Sequence, residues 1–110
     1  MTVPLPAPLE LLGGEAAPGV AAAEERLRSL GVSPYAWSNG PGERYAAHAH
    51  GTTKLLVCAE GSITFLVGPD GTPVELRAGD GFMLPAGTRH AAAVGPDGCT
   101  CLEGHRPAGA

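Results

Sequence analysis

Hydrophobic positions change their spacing once along the chain, near Tyr35. Before it, Val20, Ala23, Leu27 and Leu30 recur at helical intervals, Glu24 and Glu25 lie toward the start, and Gly31 follows. This pattern predicts one helix over Val20 to Leu30. After it come short runs of alternating or β-rich residues: Tyr45–His50, Lys54–Glu60, Ser62–Val67, Val74–Arg77, Gly81–Leu84, Arg89–Val94 and Cys99–His105. The runs are divided by Ser38-Asn39-Gly40-Pro41-Gly42, Gly61, Gly68-Pro69-Asp70-Gly71, Gly79-Asp80, Pro85-Ala86-Gly87 and Gly95-Pro96-Asp97-Gly98. Short strands with frequent turns predict an all-β sandwich or small barrel. Both Gly-Pro-Asp-Gly segments read as hairpin loops, because Pro presets φ and Gly accepts φ > 0. Phe65, Phe82, Met83 and Leu84 are expected in the core, and Trp37 at a barrel end or a subunit contact.

Composition refines this picture. A chain of 110 residues has room for one domain. Gly (17) and Pro (11) are abundant, but 44% hydrophobic residues argue for a turn-rich β fold over disorder. The net charge is −4 with no basic patch, which disfavours nucleic acid as a partner. No apolar run approaches the roughly 20 residues of a membrane span, and no secretory signal pattern opens the chain. Cys58, Cys99 and Cys101 are an odd count without a secreted framework, so reduced thiols and a cytoplasmic protein are expected. The organisation expected is an extended arm over 1–19, a helix and linker over 20–34, and the barrel over 35–107.

The candidate chemistry lies in histidine. On a strand, His48 and His50 present both rings to one face, a common way to offer two imidazoles to one metal. Gly42, five residues, His48-Ala49-His50, and Gly61 eleven residues on, have the spacing of the first cupin motif. Gly79, five residues, Pro85-Ala86-Gly87, two residues and His90 have that of the second. The chain therefore resembles a small single-domain cupin over about residues 35–105. The resemblance implies a conical barrel of two antiparallel sheets (the double-stranded β-helix, or jelly roll) with a metal held inside. His48, His50 and His90 carry over as metal ligands. The motif's Glu does not: its positions hold Lys54 and Leu55, and Val94 stands where an Asn often ends the second motif.

Three neutral imidazoles accept Fe, Zn, Ni, Cu or Mn, and three protein ligands leave a position open. Lys54 beside the ion adds positive charge. Either it loses its proton, or another carboxylate offsets it, or the ligand is anionic. If Gly95–Gly98 closes a hairpin, Val94 pairs with Cys99, Ala92 with Cys101 and His90 with Glu103, turning Glu103 inward. Lys54 and Glu103 are the candidate catalytic pair. In that register Lys54, Leu56 and Cys58 face inward, as does Cys101, and Tyr45 sits at the pocket rim; Tyr45 and Cys101 are the candidate ligand-pocket residues. Arg44 and Arg89 alternate away from the metal, and His105 reads as solvated.

A three-His ion resembles the thiol-dioxygenase branch of the superfamily. The function classes carried forward are a metal-dependent enzyme of dioxygenase or isomerase type and a non-catalytic module that binds a small molecule or metal. Lys54 would serve either by holding an anionic group or acting as a base. A homodimer is expected, with the N-terminal segment or an outer sheet on the partner.

Overall fold

The computed structural model describes Ala7–Pro8 and residues 17–107. Most of the expected arm, 1–6 and 9–16, lies outside the described residues. The elements are β1 (Ala7–Pro8), α1 (Val20–Ser29), β2 (Tyr35–Asn39), β3 (Arg44–His48), β4 (Thr52–Val67), β5 (Thr72–Arg77), β6 (Gly81–Leu84) and β7 (His90–Pro107). All strand pairing is antiparallel. The fold is the all-β double-stranded β-helix with one helix.

Its frame is the pair of long strands β4 and β7, matched from Thr52↔Pro107 to Val67↔His90. Each long strand serves two layers. In one, β6 joins the first half of β4, and β2 joins the second half of β7. In the other, β5 joins the second half of β4, and β3 joins the first half of β7. The layers meet at a bend where the β4–β7 register slips twice, between Cys58/Glu60 and Gly61/Ile63.

The bend needs glycine. Gly61 has φ +71°, and a Cβ there would lie 2.0 Å from the Gly98 carbonyl oxygen. Bulges also change which parity of residue faces inward. Leu56 and Cys58 enter the core before the bend, whereas Ile63, Phe65 and Val67 do so after it. Along β7, Ala92 and Val94 give way to Cys99 and Cys101.

This corrects the expected strand division. The Gly68–Gly71 segment does close a hairpin, with Val67 opposite Thr72. Gly95–Gly98 does not. The strand runs through it, Val94 pairing with Ile63 and Cys99 with Gly61. Two Gly-Pro-Asp-Gly segments thus play different parts, because β7 keeps β4 as its partner on both sides of Gly95–Gly98 and need not fold back on itself. Tyr35–Asn39 is also a strand, unexpected from the sequence, and it places Trp37 opposite Cys101.

The inner core holds Leu56, Cys58, Ile63, Phe65, Phe82, Leu84 and Cys101 from both layers. The outer face of the β4–β6 layer exposes Leu55, Val57 and Leu102, which α1 covers with Ala23 and Leu27. Met83 belongs to this second cluster. Leu27 is fully buried, and burying such a side chain contributes about 1.5–3 kcal/mol. Gly31 at φ +86° ends the helix, its N–H bonded to Arg28 O at 3.0 Å. Among the described residues no helix is long and apolar enough to cross a membrane.

Candidate metal centre

Three elements converge on one mouth of the barrel. β3 delivers His48 at its end, the following segment delivers His50, and β7 begins with His90. His48 pairs with His90 across the strands. The turn that precedes His90 is tied to the first pair, because Gly87 N–H donates to the His50 carbonyl at 2.8 Å.

One ring nitrogen from each histidine lies within 4.8 Å of the other two. Ring centroids are 4.6 Å apart for His48–His50, 4.5 Å for His48–His90 and 5.2 Å for His50–His90. The Nε2 atoms of His48 and His50 are 3.0 Å apart. Two nitrogens on one tetrahedral zinc stand about 3.3 Å apart, given bonds of about 2.0–2.1 Å. The rings are nearly at that spacing already.

Tautomers follow from the hydrogen bonds. His48 Nδ1 donates to Ala46 O at 2.7 Å, and His90 Nδ1 donates to Thr88 O at 3.0 Å. A carbonyl only accepts, so in each neutral ring the Nε2 keeps its lone pair. His90 is 2% exposed, and its Nε2 is buried without a partner. A buried acceptor aimed at two more imidazoles fits a cation. Burial lowers the His90 pKa, helped by Lys54 and opposed by the Thr88 bond. Burial also lowers that of His50, helped by Lys54 and His48. Both shifts favour the neutral form that ligates metal.

Beside the histidines lies a cavity of about 330 Å³, room for roughly ten waters at about 30 Å³ each. Phe65, Ile63 and Ala92 form its apolar floor; Tyr35, Trp37 and Tyr45 form an aromatic wall; Lys54 and Glu103 supply the charge. Glu103 is 5% exposed. Its Oε2 accepts from Tyr35 Oη and His105 Nε2, each at 2.7 Å, and its Oε1 accepts from Trp37 Nε1 at 2.7 Å. Lys54 Nζ stands 3.6 Å from Oε2. Burial alone would raise the Glu103 pKa, but Lys54 and the three hydrogen bonds outweigh it and hold the carboxyl below its ordinary range. Burial, helped by Glu103, pushes the Tyr35 hydroxyl up to about 12. Burial raises Tyr45 as well.

The structure therefore brings His48, His50, His90, Lys54, Glu103 and Tyr45 to one cavity. Glu103 faces inward as expected but by a different route: it pairs with Leu56 and Tyr35, and His90 pairs with Val67 and His48. Cys101 faces inward too, yet it lies in the core opposite Cys58, outside the cavity lining. Its hydrogen bond with Cys58, together with burial, raises its pKa, so it stays a packed, protonated thiol. Arg44 and Arg89 are exposed.

Three residues were missed. His105 is half-buried, its Nδ1 2.7 Å from Thr52 Oγ1, and it stacks on Tyr35 with centroids 6.1 Å apart. Two-residue alternation from Glu103 would have put His105 on the same face. Tyr35 and Trp37 were missed because the strand carrying them, with its Ser38 and Asn39, lacks an alternating apolar pattern.

Residues 37–103 match the family described as Cupin domain. The chain is 34% identical over 86 residues to dimethylsulfoniopropionate lyase DddW of Ruegeria pomeroyi, an alignment covering 78% of this chain and 48% of that protein. The chain thus spans about half the length of that relative. Among solved structures it resembles one from a study of DMSP lyases, at TM-score 0.62 and 26% identity over 69% of this chain and 38% of that one. It also resembles an RmlC-like cupin from Shewanella frigidimarina, at TM-score 0.60 and 27% identity over 71% and 68%.

Proposed function

The chain belongs to the cupin family, and on that premise we propose that it is a metal-dependent enzyme acting on a small molecule held beside His48, His50 and His90. The observation that carries this reading is the buried Nε2 of His90, without a protein partner and grouped with the other two imidazoles. A divalent transition metal fits this neutral nitrogen set, and it would supply Lewis-acid polarisation of a ligand oxygen. Lys54 stands in the place where the family motif carries Glu, so the protein's own contribution at the centre is three uncharged rings.

The remaining roles belong to side chains. The floor of Phe65 and Ile63 excludes water from one side of the cavity. Tyr35 and Tyr45, with raised pKa values, stay protonated near neutrality. Tyr35 gives its one proton to Glu103 and Tyr45 gives its one to Asn39, so toward a ligand both hydroxyls offer acceptor oxygens. Glu103 is fully engaged by Tyr35, Trp37 and His105, which makes it a fixed anchor for Lys54 in place of a mobile base. Elimination joins dioxygenase and isomerase chemistry as a candidate, and it is the first to assay because the curated relative is a lyase. The engagement of Glu103 favours a second reading, a cupin that binds its ligand without turning it over, since a general base needs a free acceptor near the operating pH.

The experiment is metal analysis of tag-free protein, followed by assay of the metal-loaded form with dimethylsulfoniopropionate. One equivalent of transition metal per chain with release of dimethyl sulfide supports the enzyme. Metal at one equivalent with no turnover of this substrate, no oxygen uptake and no isomerisation supports the binding module. Absence of metal uptake removes both.

A further inference from the structure

Glu103 is satisfied without Lys54. Tyr35, Trp37 and His105 fill its two oxygens at 2.7 Å each. Lys54 is not satisfied in return. Its ammonium carries three donors, and among the described residues its one partner is Glu103 Oε2 at 3.6 Å, beyond a good hydrogen bond. The Lys54 side chain is 9% exposed, and it lines the cavity shared with the histidines. Buried polar groups are normally paired, and a buried cation needs both hydrogen bonds and countercharge. In the free protein water in the cavity can fill these donors, and a ligand that displaces it must bring acceptor oxygens and negative charge in its place.

The charge around the cavity agrees. Lys54 and Glu103 cancel. Three neutral imidazoles leave the charge of a divalent ion uncompensated. The aromatic lining of Tyr35, Trp37 and Tyr45 suits a short organic body and not a highly charged one. No arginine lines the cavity to help gather a phosphate. We propose that Lys54 Nζ anchors the carboxylate of a small organic acid beside the three-histidine centre, a specificity role for Lys54 that rests on the metal-dependent reading above. Glu103 then acts as a positioning residue, holding the ammonium at the cavity edge so that its free donors point at the ligand.

The test uses the full, tag-free chain loaded with cobalt(II), titrated with propionate and separately with propionamide by calorimetry. Cobalt stoichiometry is measured in parallel for the parent, Lys54→Gln and Lys54→Met. Loss of a charged hydrogen bond is expected to weaken propionate about ten- to a hundredfold in both variants. Cobalt content is expected to stay at one per chain, and propionamide, which offers Lys54 no countercharge, is expected to lose much less than propionate. Propionate binding within about twofold of the parent in either folded variant overturns the assignment, and so does a parent that binds no propionate at millimolar concentration. If the parent takes up no cobalt, the metal reading fails separately. The same titration of the metal-free chain then reads Lys54 alone, where loss of propionate binding in the variants upholds the anchor and unchanged binding overturns it.

Discussion

Replacing Glu103 should cost far more stability than replacing Lys54, although the two form one ion pair. Both side chains are almost out of solvent, 6% and 9% exposed, so screening by water is slight. In Glu103→Gln the buried ammonium loses its one anionic partner among the described residues, and the new amide NH₂ cannot accept the donors that one carboxylate oxygen held. Breaking a buried pair from one side costs about 3–5 kcal/mol. The 3.6 Å separation puts this case near the low end, about 3 kcal/mol. For a domain of this size that is a loss of about 12 °C in Tm. In Lys54→Met the carboxylate keeps its three donors and the cost of burying an ammonium disappears, so the loss should be about 0–1 kcal/mol. The double variant should recover about 2 kcal/mol relative to the sum of the two single changes. Urea unfolding at pH 7 with a chelator in every sample, followed by far-UV circular dichroism, measures all four corners. Equal costs for the two single variants, or a Glu103→Gln cost unchanged in the Lys54→Met background, would refute the reasoning.

Acid should act through the same carboxyl. Its folded pKa lies below the ordinary 4.5, so its stabilisation is complete above that value and is lost as pH falls through the lowered one. Tyr35→Phe removes a donor and should start the loss at higher pH, while Glu103→Gln should abolish this component in acid melts. Gly61→Ala combines a positive φ with a Cβ 2.0 Å from a backbone oxygen, and it should cost at least about 3 kcal/mol or prevent folding. Gly51→Ala, with nothing within 4 Å of its Cβ, should stay within about 0.5 kcal/mol by the same melts. Trp37 is the single tryptophan and lines the cavity, so titration with copper(II) should quench the protein's emission with a one-to-one endpoint. His90→Ala should remove that endpoint.

The fold was legible because its strongest signals are local. Period-2 runs and glycine dividers mark the barrel strands, and the spacing from Gly42 through His50 and from Gly79 to His90 marks the segments that deliver the three rings. What escaped is tertiary. A bend within a strand and a turn between strands use the same residues, so Gly95–Gly98 reads as a hairpin until β4 is seen alongside it. Glu103 was placed on the inner face through a register that does not form; the parity change across Gly95–Gly98 leads to the same face. Its partners were hidden for a related reason. Tyr35, Trp37 and Lys54 lie 68, 66 and 49 residues from Glu103 in the chain, and only the β2–β7 and β4–β7 pairings bring them together. His105 looked like an end residue because a strand continuing to Pro107 carries no mark of its own beyond Glu103.

The central claim is that His48, His50 and His90 hold one transition-metal ion. A crystal structure of the zinc-loaded, tag-free chain, with anomalous differences collected at the zinc edge, tests it directly. A single strong peak is expected about 2.0–2.1 Å from the Nε2 atoms of all three rings. A peak bonded to fewer than three of them, or a zinc-loaded crystal with no peak between the rings, would contradict it.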